Sequence, residues 1–178
     1  MESLKVSRTI AHALRHKPEQ YNLVLSKSGW VEISALSAAL TVHFSSPVSE
    51  EQIIEIAKLD SKQRYTLEGT KIRAAQGHSF PVELGMQPVV PPRMLFHGTT
   101  ISTVPLIKEK GLLSMSRQFV HLSEFSETAE QVGSRHGKPV ILRINSEEAH
   151  KAGIVFFKSA NNVWLVESLP AEFIVFSE

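Results

Sequence analysis

Val6, Ile10, Ala13 and Leu14 return at helical spacing until Pro18 ends the pattern, which predicts a first helix. Trp30-Val31-Glu32-Ile33 alternates as a short strand, and Ser34 stands where it can cap a helix running to about Leu40. Ser49 and Gln52 have capping-box spacing ahead of Ile53, Ile54, Ile56 and Ala57, which predicts a further helix. Residues 64–67 and 71–74 then alternate around Glu68-Gly69-Thr70, the pattern of a hairpin. Helices followed by a hairpin give residues 1–80 the order of a winged-helix-like lobe.

Between residues 80 and 93 stand Pro81, Pro88, Pro91 and Pro92, so this stretch is extended. Residues 81–93 are therefore expected to link the first lobe to a second over 94–178. There the texture changes to short apolar strands, at 94–96, 119–122, 140–144, 154–157, 163–166 and 173–176. Helical stretches intervene near 102–110, stopped by Gly111, and near 126–132. The expected class is α+β with a mixed or antiparallel sheet.

Composition narrows the picture. Hydrophobic residues at 42% and charged residues at 21% are the balance of a folded globular chain. The absence of cysteine excludes a disulfide framework and a zinc ribbon, and suits a reducing compartment. No signal peptide or membrane-crossing apolar run is visible, so the expected location is the cytoplasm, with no membrane partner. The net charge is +1 and both halves are nearly balanced, so no bulk basic field attracts nucleic acid. Any anion must be held by a few placed residues. Asp60 is the only aspartate, which leaves few routes to an Asp-rich magnesium site, and no metal is expected.

The usual nucleotide signatures fail. No G-x-G-x-x-G follows a strand, and the run from Gly133 to Gly137-Lys138 is one residue short of a P-loop, with Pro139 where a hydroxyl is needed. His12 and His16 have the spacing of two metal ligands on one helix face, but two histidines facing solvent or phosphate explain them better. Arg15-His16-Lys17 closes the first helix, where cations favour the negative end of the dipole. Arg64 and Arg73 on the hairpin are equally compatible with a solvated face. Neighbourhood changes the balance, because Gln76-Gly77-His78-Ser79 follows at once as a compact polar turn with donors for an anion. Arginine suits a phosphate dianion, since its planar fork donates two parallel hydrogen bonds. Further on, Phe96-His97-Gly98-Thr99 ends an apolar strand where a ligand can meet backbone, and Arg117 and His121 bracket another strand that Ser123 terminates.

Taken together, these segments resemble the NAD-dependent RNA 2′-phosphotransferase family. The matching pieces are Leu14-Arg15-His16, Gly29-Trp30-Val31, Lys62-Gln63-Arg64-Tyr65, Ile72-Arg73-Ala74 with Gln76-Gly77-His78-Ser79, Phe96-His97-Gly98-Thr99, Gly111-Leu112, and Arg117 through His121-Leu122-Ser123. They occur in the family's order over nearly the whole chain. The resemblance implies a winged-helix-like lobe, an ADP-ribosyltransferase lobe, and an active site in the cleft between them. It implies a catalytic tetrad of Arg15, His16, Arg64 and Arg117. The 2′-phosphate of the RNA would meet Arg15, His16, Arg64, Arg73, Gln76, His78 and Ser79. NAD+, a co-substrate, would meet His97, Gly98, Thr99, Gly111, Leu112, His121, Ser123 and Val163. Two departures stand out: Phe119 occupies an expected histidine position, and Asn161-Asn162-Val163 replaces Asn-Gly-Val.

The implied reaction has two steps. The internal 2′-phosphate attacks the anomeric carbon of the nicotinamide ribose and expels nicotinamide. The ribose 2″-hydroxyl then attacks phosphorus, releasing 2′-hydroxyl RNA and ADP-ribose 1″,2″-cyclic phosphate. His16 serves as proton carrier or phosphate ligand; both roles stay open. The implied setting is RNA repair or tRNA splicing, by a monomer. Two other readings compete. One is a winged-helix nucleic-acid-binding module with a non-catalytic second lobe. The other is an ADP-ribosyltransferase that stops after the first step, against which stands Val163 where protein-modifying transferases carry glutamate.

Overall fold

The computed structural model describes residues 3–134 and 138–176, and their contacts divide the chain into two units, Met1–Gly85 and Met86–Glu178. The centre of the P-loop-like run, 135–137, lies outside the described residues. The class is α+β, with every sheet antiparallel among the described residues.

In the first unit, α1 (Ser3–Arg15) buries Val6, Ile10, Ala13 and Leu14, the positions its spacing selects. Strand β1 (Val31–Glu32) passes directly into α2 (Ile33–Phe44), so Ser34 is inside the helix rather than its cap. The Ile33 N–H donates to the Thr70 carbonyl at 2.8 Å; the hairpin turn thus satisfies the first helical amide without a side-chain cap. The helix also runs past Leu40, to Phe44. Its last turn is tied to the next loop by Ser37 Oγ, which donates to the Val48 carbonyl at 2.6 Å, and by Thr41 Oγ1, which accepts from the Val48 N–H at 3.0 Å.

Ser49 caps α3 (Glu50–Lys58), its Oγ accepting from the Gln52 N–H at 3.2 Å, while Glu50 and Glu51 suit the positive end of the helix. The hairpin is β2 (Tyr65–Glu68) and β3 (Lys71–Ala74), paired from Tyr65↔Ala74 to Glu68↔Lys71. β1 adds to β3 with Val31 opposite Ile72, giving the sheet order β1-β3-β2. Leu14, Leu36, Leu40, Ile53 and Ile72 form the centre of this unit's core.

The second unit contains β4 (Leu95–Thr100), α4 (Val104–Lys110), β5 (Leu112–Leu113), β6 (Val120–Leu122), α5 (Ser126–Gly133), β7 (Pro139–Ile144), α6 (Ser146–Lys151), β8 (Phe157–Lys158), β9 (Trp164–Val166), β10 (Ser168–Leu169) and β11 (Ile174–Val175). Sheets of order β11-β7-β4 and β6-β9-β8 enclose Leu95, Leu122, Leu142, Ile144, Phe156 and Leu165, and β10 pairs with β5. The expected strand at 154–157 begins only at Phe157, because the Ile154 amide is committed to the Ala149 carbonyl at the end of α6. Helix α6 escapes the apolar pattern because Ala149 is its only buried apolar residue; Lys151 pairs with Glu147 and Glu148 along it. The proline-rich stretch is bonded within both units: Glu83 N–H donates to Lys27 in the first, and Val89 N–H to Phe156 in the second.

Candidate functional site

In the first unit, the end of α1 and the segment after β3 are held together by hydrogen bonds. The Arg15 carbonyl accepts from the Ser79 N–H at 2.9 Å and from Ser79 Oγ at 3.3 Å. His16 Nδ1 lies 3.3 Å from the same Ser79 Oγ. When that hydroxyl gives its hydrogen to the Arg15 carbonyl, its oxygen accepts from Nδ1–H, and Nε2 is then the basic nitrogen of a neutral His16 ring. Arg15 Nη2 reaches the Arg64 carbonyl at 3.4 Å, and the Ala75 N–H donates to that carbonyl at 2.8 Å.

Arg73 lies on β3 with its guanidinium 4.6 Å from the centre of the Trp30 ring and Nη1 donating to the Ser28 carbonyl at 3.3 Å. His78 is 1% exposed, and neither ring nitrogen has a hydrogen-bond partner among the described residues. Burial, reinforced by the nearby charges of Arg15, His16 and Arg73, pushes its pKa down to about 4. His78 is thus a neutral ring at pH 7, able to donate one hydrogen and accept another, and not a cation for phosphate. Gln76 Oε1 and Arg73 Nε are likewise buried without hydrogen-bond partners among the described residues. Such unspent polar groups beside two arginines have the chemistry to hold a small anion with attached hydroxyls.

Arg64 is not on the hairpin strand across from Arg73; Thr66 holds that register position, and Arg64 precedes β2. The side chain of Asp60 takes Arg64 instead, at 2.7 Å from Nη2. Sequence reading missed this role of Asp60; its place four residues before Arg64 is the one available signal. His12, the other half of the metal-like spacing, has Nδ1 3.0 Å from the Tyr21 hydroxyl, and no group of three or more His, Asp or Glu side chains converges among the described residues.

In the second unit, His97 lies on β4 beside β6, its Nδ1 donating to the His121 carbonyl at 3.0 Å. Burial lowers its pKa, with the carbonyl bond acting in opposition, so the ring is neutral and Nε2 is left as an acceptor. An acceptor at this position within β4 suits a hydroxyl of a bound ligand. Ser123 is placed by backbone bonds with Phe96, at 2.8 Å in each direction. Thr99 is the following residue but one on β4, opposite Val140.

Gly98 has a different use from the one expected. An added Cβ would collide with the Ala129 carbonyl oxygen, so the close approach it permits is that of α5. Gly111, at φ +74, would likewise collide with the Leu169 carbonyl, and Leu112 is buried in the core opposite Leu169. Arg117 is exposed in the turn before β6, which begins at Val120 rather than residue 119. Phe119 packs against Phe157 with ring centres 5.8 Å apart.

Asn162 resolves the second departure. It takes φ +61, the left-handed conformation for which glycine is favoured, and the turn closes through Asn162 N–H to Ser159 and Ser159 N–H to the Val163 carbonyl, both at 2.9 Å. Val163 therefore enters β9 from an intact turn. Asn162→Gly should be tolerated, whereas Asn162→Val should destabilise by about 1–2 kcal/mol. Thermal unfolding of the two variants measures the difference.

Comparison with known proteins gives one answer. The family model described as "RNA 2'-phosphotransferase, Tpt1 / KptA family" matches residues 1–168. A protein of Trichormus variabilis titled "Probable RNA 2'-phosphotransferase" is 43% identical over 173 residues, covering 96% of this chain and 94% of the relative. Relatives with the same title from Acaryochloris marina (44% identity, 96% and 94% coverage) and Fusobacterium nucleatum (43%, 97% and 98%) agree.

Proposed function

The chain belongs to the RNA 2′-phosphotransferase family, and from that premise we propose that it transfers an internal 2′-phosphate of RNA to NAD+ and returns a 2′-hydroxyl. The observation that carries the reading is the convergence of Arg15, His16, Arg73 and His78 around the polar segment 76–79. A phosphate dianion needs arginine forks, and its ribose needs neutral donors and acceptors; Arg15, Arg64 and Arg73 supply the first, Gln76, His78 and Ser79 the second. In this reading the first unit is a winged-helix-like lobe for the RNA phosphate, and the second is an ADP-ribosyltransferase-like lobe.

NAD+ supplies the acceptor carbon and a leaving group that departs neutral. The chain's own work in the first step is positioning: arginines fix the phosphate in line, and His97 and Ser123 orient the co-substrate. In the second step charge gathers on phosphoryl oxygens, where Arg15 and Arg64 stabilise it. Proton transfer falls to His16, whose Nε2 is the basic nitrogen once Ser79 holds Nδ1.

The reaction itself is the test. A short RNA bearing one internal 2′-phosphate should lose it only when NAD+ is present, and a chelator should not slow the loss. Dephosphorylation without NAD+, or loss of activity in chelator restored by magnesium or zinc, would overturn the proposal.

A further inference from the structure

The carboxylate of Asp60 is bonded on every side. Oδ2 accepts from the Arg64 backbone N–H at 2.6 Å and from Arg64 Nε at 3.0 Å, while Oδ1 accepts from Nη2 at 2.7 Å and Nε at 3.1 Å. These contacts use the oxygens' acceptor capacity, so Asp60 has none left to take a proton from a substrate. Its side chain is 4% exposed, and that of Arg64 is 30% exposed. The turn between them is closed by the Gln63 N–H, which donates to the Asp60 carbonyl at 2.8 Å, with Gln63 in the left-handed region at φ +46.

The same carboxylate therefore caps the turn and clamps the side chain that leaves it. Asp60 takes the Nε–Nη2 edge of the guanidinium. The end-on edge, Nη1 with the outer hydrogen of Nη2, remains for a second bidentate partner. A free arginine samples many rotamers and loses that freedom on gripping a phosphate; an arginine already held along one edge does not. Bare attraction argues in the other direction, since a carboxylate beside Arg64 weakens its pull on an anion. Orientation is the one gain that a second arginine, Arg15, does not already provide.

We propose that Asp60 is a positioning residue that holds Arg64 with its end-on edge presented to the 2′-phosphate of the RNA. This rests on the assignment of Arg64 to the phosphate, and the test separates the two. Binding of a 2′-phosphorylated RNA and of the same RNA without that phosphate would be measured for wild type, Asp60→Asn, Arg64→Ala and the double variant. Asparagine keeps an oxygen for the Arg64 N–H and loses the charged fork. Asp60→Asn should weaken the phosphorylated RNA about tenfold, leave the unphosphorylated RNA and the KM for NAD+ unchanged, and add nothing in the Arg64→Ala background. A merely structural Asp60 would instead move NAD+ and both RNAs together.

If Arg64→Ala binds the phosphorylated RNA like wild type, the assignment of Arg64 fails. If Arg64→Ala is weak but Asp60→Asn is not, or if the Asp60→Asn effect persists without Arg64, the positioning role fails while the assignment stands. Should Asp60→Asn not fold, Asp60→Glu retains the charge and shifts it by one methylene. The same cycle is then read with that variant, again expecting weaker phosphate binding only when Arg64 is present.

Discussion

Replacing His16 by alanine is expected to halt the reaction between its two steps, so that RNA carrying the ADP-ribosyl group on its 2′-phosphate accumulates. The first step asks little of an acid or base, because the phosphate is already an anion and nicotinamide leaves uncharged. The second must remove a proton from a ribose hydroxyl and return one to the departing RNA oxygen. Ser79 accepts from Nδ1 of His16 and spends its own hydrogen on the Arg15 carbonyl, which fixes the ring with Nε2 as the base. Loss of a positioned acid–base group slows its step by about 10²–10⁴-fold, so release of 2′-hydroxyl RNA should fall by that order while nicotinamide release falls far less. On a denaturing gel the adduct should appear as a slower-migrating band. Arg117→Ala should act in the same direction through lost charge stabilisation. Time courses that contain only substrate and final product, at any rate, would show that His16 holds the phosphate and carries no proton.

The candidate residues differ in how far the sequence revealed their placement. The positions of Arg15 and His16 at the end of α1, and of 76–79 just after β3, were legible because each lies next to a strong local signal, a periodic helix or a hairpin. Asp60 was not. Its contact with Arg64 depends on a left-handed turn at Gln63, and nothing in apolar spacing encodes where a guanidinium folds back. Gly98 shows the opposite difficulty, since a glycine on a strand looks the same whether a ligand or a helix approaches it; here it lies within β4 and the helix is α5. The limits of α2 and the presence of α6 were hidden for a shared reason. Both are set by hydrogen bonds to distant carbonyls or by surface ion pairs, from Ile33 to Thr70 and from Lys151 to Glu147, rather than by burial of an apolar stripe. The departure at Asn162 costs the turn nothing, because asparagine is among the few non-glycine residues that accept the left-handed region.

His78 should make the first unit acid-sensitive as pH falls from about 6.5 towards about 4. In the folded chain the ring is buried among Arg15, His16 and Arg73 and its pKa lies near 4; in the unfolded chain it returns to the ordinary value, about 6.5. Above both values the ring is neutral in either state, so its contribution is fully present. As pH falls below about 6.5 the unfolded chain takes a proton that the folded chain refuses, and unfolding is favoured progressively. The loss comes to about 2 kcal/mol at pH 5 and about 3 kcal/mol at pH 4, after which both states are protonated and the effect levels off. Asp60, whose pKa its bonds to Arg64 hold below the ordinary carboxylate value despite its burial, contributes stability that is lost only at lower pH. His97 adds the same sign from the second unit, since burial lowers its pKa too, so a variant is needed to isolate His78. His78→Gln keeps a neutral polar side chain and removes the titration. Denaturant unfolding of wild type and His78→Gln between pH 7 and pH 4 should therefore converge on the acid side, with the variant's stability falling less by about 2–3 kcal/mol. A phosphate dianion bound beside Arg15 and Arg73 should reverse part of the shift, raising the pKa seen for the His78 ring by NMR when 2′-phosphorylated RNA is added. Parallel pH profiles for the two proteins, or a His78 ring that titrates near 6.5 in the folded state, would mean that the cluster is open to water and that the neutral-ring reading of the phosphate site is wrong.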